Sequence, residues 1–205
     1  MNFFDTQGYH FFNQFAGHHA FLDKGMAFFA QYSLEIYVIL FIIAWLSLPK
    51  SEIKQRHALI IMGFAGVLGL VINVLVSHLW FRPRPFTILE PDTFTRLIPH
   101  SADASFPSDH TTGSFGFAAA SWGKSPKWIT LSFTALAILN GVSRLYVGVH
   151  WPTDVLAGVF IGTLSGRILW KFEFIFKPIT DFGLRLFHYG HYVKAQRNKV
   201  IKNDA

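Results

Sequence analysis

Long apolar runs alternate with short polar turns along this chain, and several runs have the length of about 20 residues that a helix needs to cross a bilayer. A first span is predicted over about 26–48, followed by a polar turn at 49–56. A second covers about 57–80 and carries Asn73, Ser77 and His78 towards its end. A polar connection, 81–107, leads to a third span at 108–122. This one is short and rich in Gly, Ala, Ser and Thr, the composition that lets membrane helices pack closely. After the loop 123–127, a fourth span ends near Tyr146 and a fifth runs from Pro152 to Trp170 or beyond. The pattern predicts an all-α polytopic membrane bundle of about five spans, organised as one domain over 1–205. At its start, residues 2–17 place Phe4, Gly8, Phe11, Phe12 and Phe15 on one helical face, with polar positions at Asn2, Gln7, Asn13 and Gln14. That reads as an interfacial helix lying on the membrane. At its end, 178–205 reads as a basic tail on the cytoplasmic side.

Composition supports the membrane reading. The chain is 51% hydrophobic and only 15% charged, where a soluble domain carries about a quarter charged residues. The 23 Phe and six Trp suit lipid-facing surfaces and interfacial belts. No cysteine is present, which excludes disulfides and thiolate metal sites. The net charge of +6 is scattered around apolar spans, so positive-inside loops explain it better than nucleic-acid binding. Lys50, Lys54, Arg56, Lys124, Lys127, Lys171 and Lys177 all fall on one side of a five-span bundle, which is then cytoplasmic. No charged region precedes the first apolar run, so no cleavable signal peptide is expected.

The opposite face receives three chemically suggestive stretches. In 143–154, Arg144 offers a planar fork of donors matched to phosphate or carboxylate. His150 is followed four residues later by Asp154. Pro152 suits the first position of a new helix, which puts Asp154 in the first turn, able to accept from one imidazole nitrogen and leave the other free. In 82–85, Arg82 and Arg84 alternate with prolines. In 106–113, Ser108 reads as an N-cap, so the N–H groups of Asp109, His110 and Thr111 form an anion site where His110 presents a proton. Singly, each stretch has a plain structural reading as a helix cap, a helix stop or an interfacial anchor. Together they make a phosphate cradle with a nucleophile and an acid. Within the first span, Glu35 is expected to face the protein interior, as a brace for an arginine or as a protonated packing residue.

These residues carry a family resemblance. Arg84-Pro85, Pro107-Ser108-Asp109-His110 and Ser143-Arg144-x5-His150-x3-Asp154 resemble the three motifs of the type-2 phosphatidic acid phosphatase superfamily. Within it, 81–86 and 98–110 are similar to the bacterial bacitracin-resistance undecaprenyl-pyrophosphate phosphatases. The resemblance departs at two positions. Ser77 stands where a lysine usually begins the first motif, leaving Arg82 as its substitute. Asp109 stands where the second motif usually has Gly, and is assigned no catalytic role.

The resemblance implies a phosphatase that needs neither metal nor cofactor. It implies His150 as nucleophile oriented by Asp154, His110 as acid and then base, and Arg84, Arg144, Ser108, Ser143 and Arg82 around the phosphate. The implied substrate is a polyprenyl pyrophosphate lipid, with the site facing outwards from a bacterial plasma membrane. Hydrolysis would recycle the cell-wall lipid carrier and confer bacitracin resistance. The rival readings are a broader lipid phosphate phosphatase, acting on phosphatidylglycerophosphate or phosphatidate, and a lipid-phosphate binding or transport protein without turnover.

Overall fold

A computed structural model describes residues 2–191, which are helical apart from short turns and one long connection, 89–108. In chain order the helices are α1 (Phe3–Asn13), α2 (Ala20–Gln31), α3 (Ser33–Ser47), α4 (Ile53–Leu79), the single turn α5 (Pro85–Ile88), α6 (Asp109–Ser121), α7 (Lys127–Tyr146), α8 (Pro152–Leu169) and α9 (Glu173–Leu186). A 3₁₀ turn at Trp170–Phe172 joins α8 to α9.

Three helical runs are long and apolar enough to cross a membrane: Ile53–Leu79, Lys127–Tyr146 and Pro152–Leu186. The pair α2 and α3 makes a fourth if taken as one span, although it is bent by 72°. The remaining expected span is α6. Its 13 residues reach only about 20 Å at 1.5 Å per residue. It is packed against α4, α7 and α8, and Thr111, Thr112, Ser114 and Ala118 to Ser121 are all buried. Small residues permit this central position. A Cβ at Gly166 of α8 would stand 2.7 Å from the backbone nitrogen of Ala120, so α8 and α6 touch backbone to backbone. Outward-facing residues of the surrounding helices are large and apolar, among them Ile42, Val71, Leu75, Leu131, Leu156 and Phe160. That is the inverse of a water-facing surface and belongs against lipid chains.

The main apolar core joins Tyr37 and Trp45 of α3, Leu59 and Met62 of α4, and Ile129 and Phe133 of α7. Nearby, Arg56 is fully buried and donates to the carbonyls of Trp45, Leu48 and Pro49. A cation there closes the C-terminal end of α3, where helical carbonyls lack partners.

Three sequence expectations are corrected here. The first span breaks at Tyr32, between α2 and α3. Glu35 lies exposed in the first turn of α3, so it braces no arginine and packs in no core; an acid there complements the helix dipole instead. The expected tail from 178 begins as α9, which carries the buried Thr180 and Leu184 and packs against α4; the tail beyond 191 lies outside the described residues.

Helix α1 presents Phe3, Phe4 and Phe11 outwards and buries Asp5, Tyr9 and Asn13. Asp5 and Asn13 therefore pack on the protein, while Gln7 stays exposed. Asn13 donates to the carbonyls of Thr95 and Tyr146 and accepts from the Thr95 N–H.

Candidate active site

The C-terminal ends of α4 and α7 and the N-terminal ends of α6 and α8 meet at one end of the bundle. Backbone bonds stitch them together: Ser108 N–H to the Asp154 carbonyl, Ser105 N–H to the Arg82 carbonyl, and Leu97 N–H to the Val147 carbonyl. After α7 the chain turns through Gly148, whose φ of 82° favours glycine. A Cβ there would also stand 2.6 Å from the Thr95 carbonyl oxygen. This turn delivers His150 into the interior, only 2% exposed.

Two contacts assign the tautomer of His150. Its Nδ1 lies 3.0 Å from the Ser105 carbonyl oxygen, which can only accept. Its Nε2 lies 3.1 Å from Nη1 of Arg84, which can only donate. The proton is therefore on Nδ1 and the Nε2 lone pair faces the guanidinium. Asp154 stands one step further back than its spacing suggests. Its Oδ2 is 3.6 Å from His150 Nδ1, and accepts instead from the Ser105 hydroxyl and the Trp151 N–H at 2.8 Å. The Trp151 bond closes the first turn of α8.

The cationic side of the site consists of Arg84 and Arg144, both buried. Arg84 donates through Nε and Nη2 to Asp103 at 2.8 and 2.7 Å, and through Nη1 to the Val149 carbonyl at 3.0 Å. Arg144 donates through Nη1 to the Ala30 carbonyl at 2.8 Å, one of the last carbonyls of α2 before the break. Its Nε and Nη2 are buried without a hydrogen-bond partner among the described residues. The charges of Arg84 and Arg144 both act on His100, His110 and His150. Burial first, then these two cations, holds His150 well below the ordinary histidine value and lowers His100 as well, so both rings are neutral near pH 7.

Other expected members sit differently. Ser108 occupies the N-cap position of α6, but its hydroxyl accepts from Thr111 Oγ1 at 3.0 Å and caps no backbone N–H. The Ser143 hydroxyl donates to Asn140 of its own helix. The Ser143 donor is thus spent within its own helix, as short side chains beside a helix often are, whereas Ser108 accepts and keeps its own proton to donate. Arg82 is turned away from the cradle, with its two terminal nitrogens on Asp5 and Asp154. Ser77 bonds back to the Val74 carbonyl. Asp109 accepts from Asn73 at 2.9 Å, which fixes its side chain against α4.

Four site residues were not singled out from sequence: Asp5, His100, Asp103 and Ser105. The last three lie in 98–105, within the stretch that carried the resemblance. The ring of His100 stands edge-on to His150 with centroids 6.2 Å apart. The connection 81–107 is thus a wall of the site. Beside it, a cavity of about 810 Å³ between α3, α4 and α6 is lined by apolar residues such as Tyr37, Phe41, Val67, Leu70 and Phe117, together with Asp109 and His110.

The model of the PAP2 superfamily matches residues 58–177, more than half of the chain. The chain belongs to the PAP2 superfamily. This PAP2 protein is 34% identical over 185 residues to the undecaprenyl-diphosphatase BcrC of Bacillus subtilis, covering 90% of this chain and 89% of that one. It is 33% identical over 147 residues to the putative undecaprenyl-diphosphatase YbjG of Escherichia coli, covering 70% and 71%. Among solved structures, Aquifex aeolicus LpxE is similar with a TM-score of 0.66 at 25% identity, over 82% of this chain and 94% of that one. A transmembrane PAP2 phosphatidylglycerolphosphate phosphatase of Bacillus subtilis shares the fold, with a TM-score of 0.60 at 21% identity, over 82% and 84%.

Proposed function

We propose that this multi-pass membrane phosphatase hydrolyses undecaprenyl diphosphate to undecaprenyl phosphate and inorganic phosphate at the outer face of a bacterial plasma membrane. The terminal phosphoryl group sits between Arg84, Arg144 and the N-terminal N–H groups of α6, which stabilise its equatorial charge. Nε2 of His150 attacks phosphorus as the bond to the bridging oxygen breaks, giving a phosphohistidine and undecaprenyl phosphate. His110 gives its proton to the departing oxygen, then takes one from the water that cleaves the N–P bond. The apolar cavity beside His110 suits the isoprenoid chain. Returning the carrier lipid to use would draw down the diphosphate form that bacitracin sequesters, which is the route to resistance.

The observation that carries this reading is the buried Arg144 with two unpartnered donors, in electrostatic range of a histidine whose lone pair faces a second arginine. Unmade charge-assisted bonds are costly in a protein interior, and a phosphoryl group satisfies both. Likeness to the undecaprenyl-diphosphatase BcrC along nearly the full length of both chains supports the diphosphate lipid over other lipid phosphates.

The test is phosphate release by the purified protein, with EDTA present, from undecaprenyl diphosphate, phosphatidylglycerophosphate and phosphatidate. The expected result is a kcat/KM at least about tenfold higher on the diphosphate, a difference of roughly 1.4 kcal/mol in transition-state binding. Preference for a glycerolipid monoester would move the protein to the broader class of lipid phosphatases.

A further inference from the structure

Helix α1 reaches the catalytic turn through one carboxylate. Asp5 is fully buried. Its Oδ2 accepts from Nη2 of Arg82 at 2.6 Å. Its Oδ1 accepts from the Thr153 N–H at 2.9 Å, and the Thr153 hydroxyl lies 2.9 Å from both oxygens. The other terminal nitrogen of Arg82, Nη1, donates to Asp154 Oδ1 at 2.7 Å and to the Thr153 hydroxyl at 2.6 Å. One guanidinium, packed 5.6 Å from the centre of the Trp151 ring, is therefore shared by two buried carboxylates, one from α1 and one from α8.

We propose that Asp5 is a positioning residue for hydrolysis: through Arg82 it fixes the carboxylate of Asp154, and thereby the Ser105 that holds His150. A single carboxylate leaves a guanidinium free to swing about its contact, whereas carboxylates at both ends of the planar fork fix its position and tilt. Without Asp5, Nη2 of Arg82 loses a buried charge-assisted bond. The side chain then turns to recover one, and Oδ1 of Asp154 turns with it. The disturbance reaches the nucleophile in two further contacts, because Oδ2 of the same carboxylate accepts from the Ser105 hydroxyl and the Ser105 carbonyl accepts from His150 Nδ1. The near-neutral alternative is that Asp5 only seats α1. Against this, α1 has independent seats in Asn13 and Tyr9, which bond the Tyr146 and Gly148 carbonyls and, among the described residues, make no hydrogen bond to Arg82 or Asp154.

The inference rests on the assignment of His150 and Asp154 given above, so both are measured together. Asp5→Asn keeps the size of the side chain but turns a donor towards Arg82. The full-length protein carrying it is expected to lose about 10- to 100-fold in kcat, the scale at which small misplacements of reacting groups act, with KM changed less than about twofold. In an Asp154→Asn background the same substitution is expected to cost under about twofold, because residues acting as one unit do not add. Asn13→Ala, which loosens α1 elsewhere, is expected to lower the melting temperature while leaving kcat per folded molecule near wild type. If Asp5→Asn matches wild type, or loses as much kcat without Asp154, or if Asn13→Ala loses as much as Asp5→Asn, Asp5 is only a seat for α1. A fully active His150→Ala would instead remove the underlying assignment.

Discussion

His150 is held by a backbone carbonyl: its Nδ1 lies 3.0 Å from the oxygen of Ser105, nearer than the 3.6 Å to Asp154. Ser105 also donates its hydroxyl to Asp154. A single residue thus joins His150 and Asp154, its carbonyl on the ring and its hydroxyl on the carboxylate. In the proposed mechanism, the negative charge of Asp154 near the imidazole favours the positive charge that would develop on the ring as Nε2 bonds to phosphorus.

Removing only the hydroxyl separates these two duties. Ser105→Ala keeps the carbonyl that sets the tautomer and takes one of the bonds from Asp154. A net hydrogen bond of about 1 kcal/mol corresponds to roughly a fivefold fall in kcat, with KM little changed. Asp154→Asn, which loses the charge and places an amide against Ser105 and Trp151, is expected to lose far more. Steady-state kinetics on the two variants check the order. Equal losses would mean that Asp154 acts only by holding Ser105.

The lowered value of His150 fixes a pH behaviour. In the unfolded chain a histidine takes up a proton near pH 6.5, whereas buried His150, crowded by Arg144 and Arg84, does so only well below that. Between the two values the unfolded state binds more protons, so stability rises with pH there. Its contribution is full above about pH 6.5 and is lost as pH falls towards the native value; His100 acts in the same direction. Melting temperatures in detergent are therefore expected to drop between pH 7 and 5, and His150→Gln should flatten that slope. An unchanged slope would show that other groups govern acid stability.

The sequence marked candidate residues where chemistry is local and concealed the contacts that only the fold makes. Arg84, Arg144, His110, His150 and Asp154 could be named because each sits in a short polar stretch closing an apolar run, and they do meet at one end of the bundle. Helix α7 ends and α8 begins where the pattern places them because Pro152 and the polar turn before it are strong punctuation. Asp5 carried no signal in an aromatic leader, since its partner Arg82 lies 77 residues away. The Ser105 carbonyl had no side-chain signal at all. The bend at Tyr32 also escaped, because hydropathy runs on through a break where one of the last carbonyls of α2, that of Ala30, is satisfied by a distant arginine, Arg144.

Sidedness can be measured directly. The absence of cysteine gives a labelling assay no background. Thr93 and Ser51 are both exposed, and lie respectively in the connection that walls the site and in the turn between α3 and α4. In intact cells Thr93→Cys is expected to react with an impermeant maleimide and Ser51→Cys only after permeabilisation. Reaction of Ser51→Cys alone would turn the site towards the cytoplasm. Reaction of both would overturn the path of the chain through the bilayer.

Leaving-group chemistry separates the substrate classes at the level of mechanism. Cleaving a diphosphate expels a phosphate group, whose second pKa is about 6. Cleaving a phosphate monoester expels an alkoxide, which is far more basic and must be protonated as it departs. Help from His110 is therefore worth more on a monoester. His110→Ala is expected to depress monoester turnover by about 10²- to 10⁴-fold, the usual range for a general acid, and the first chemical step on undecaprenyl diphosphate much less. Steady turnover on the diphosphate still suffers, because His110 is also lost as the base for the water that cleaves the phosphohistidine. Rapid-quench measurements should then show a burst of undecaprenyl phosphate, one per site, followed by slow release of inorganic phosphate. Radiolabel from the terminal phosphate should accumulate on the protein in an acid-labile, base-stable form, and His150→Ala should abolish it. Equal losses on both substrates without a burst would mean that His110 chiefly binds phosphate, and the acid would have to be sought elsewhere in the cradle, with His100 the first residue to examine.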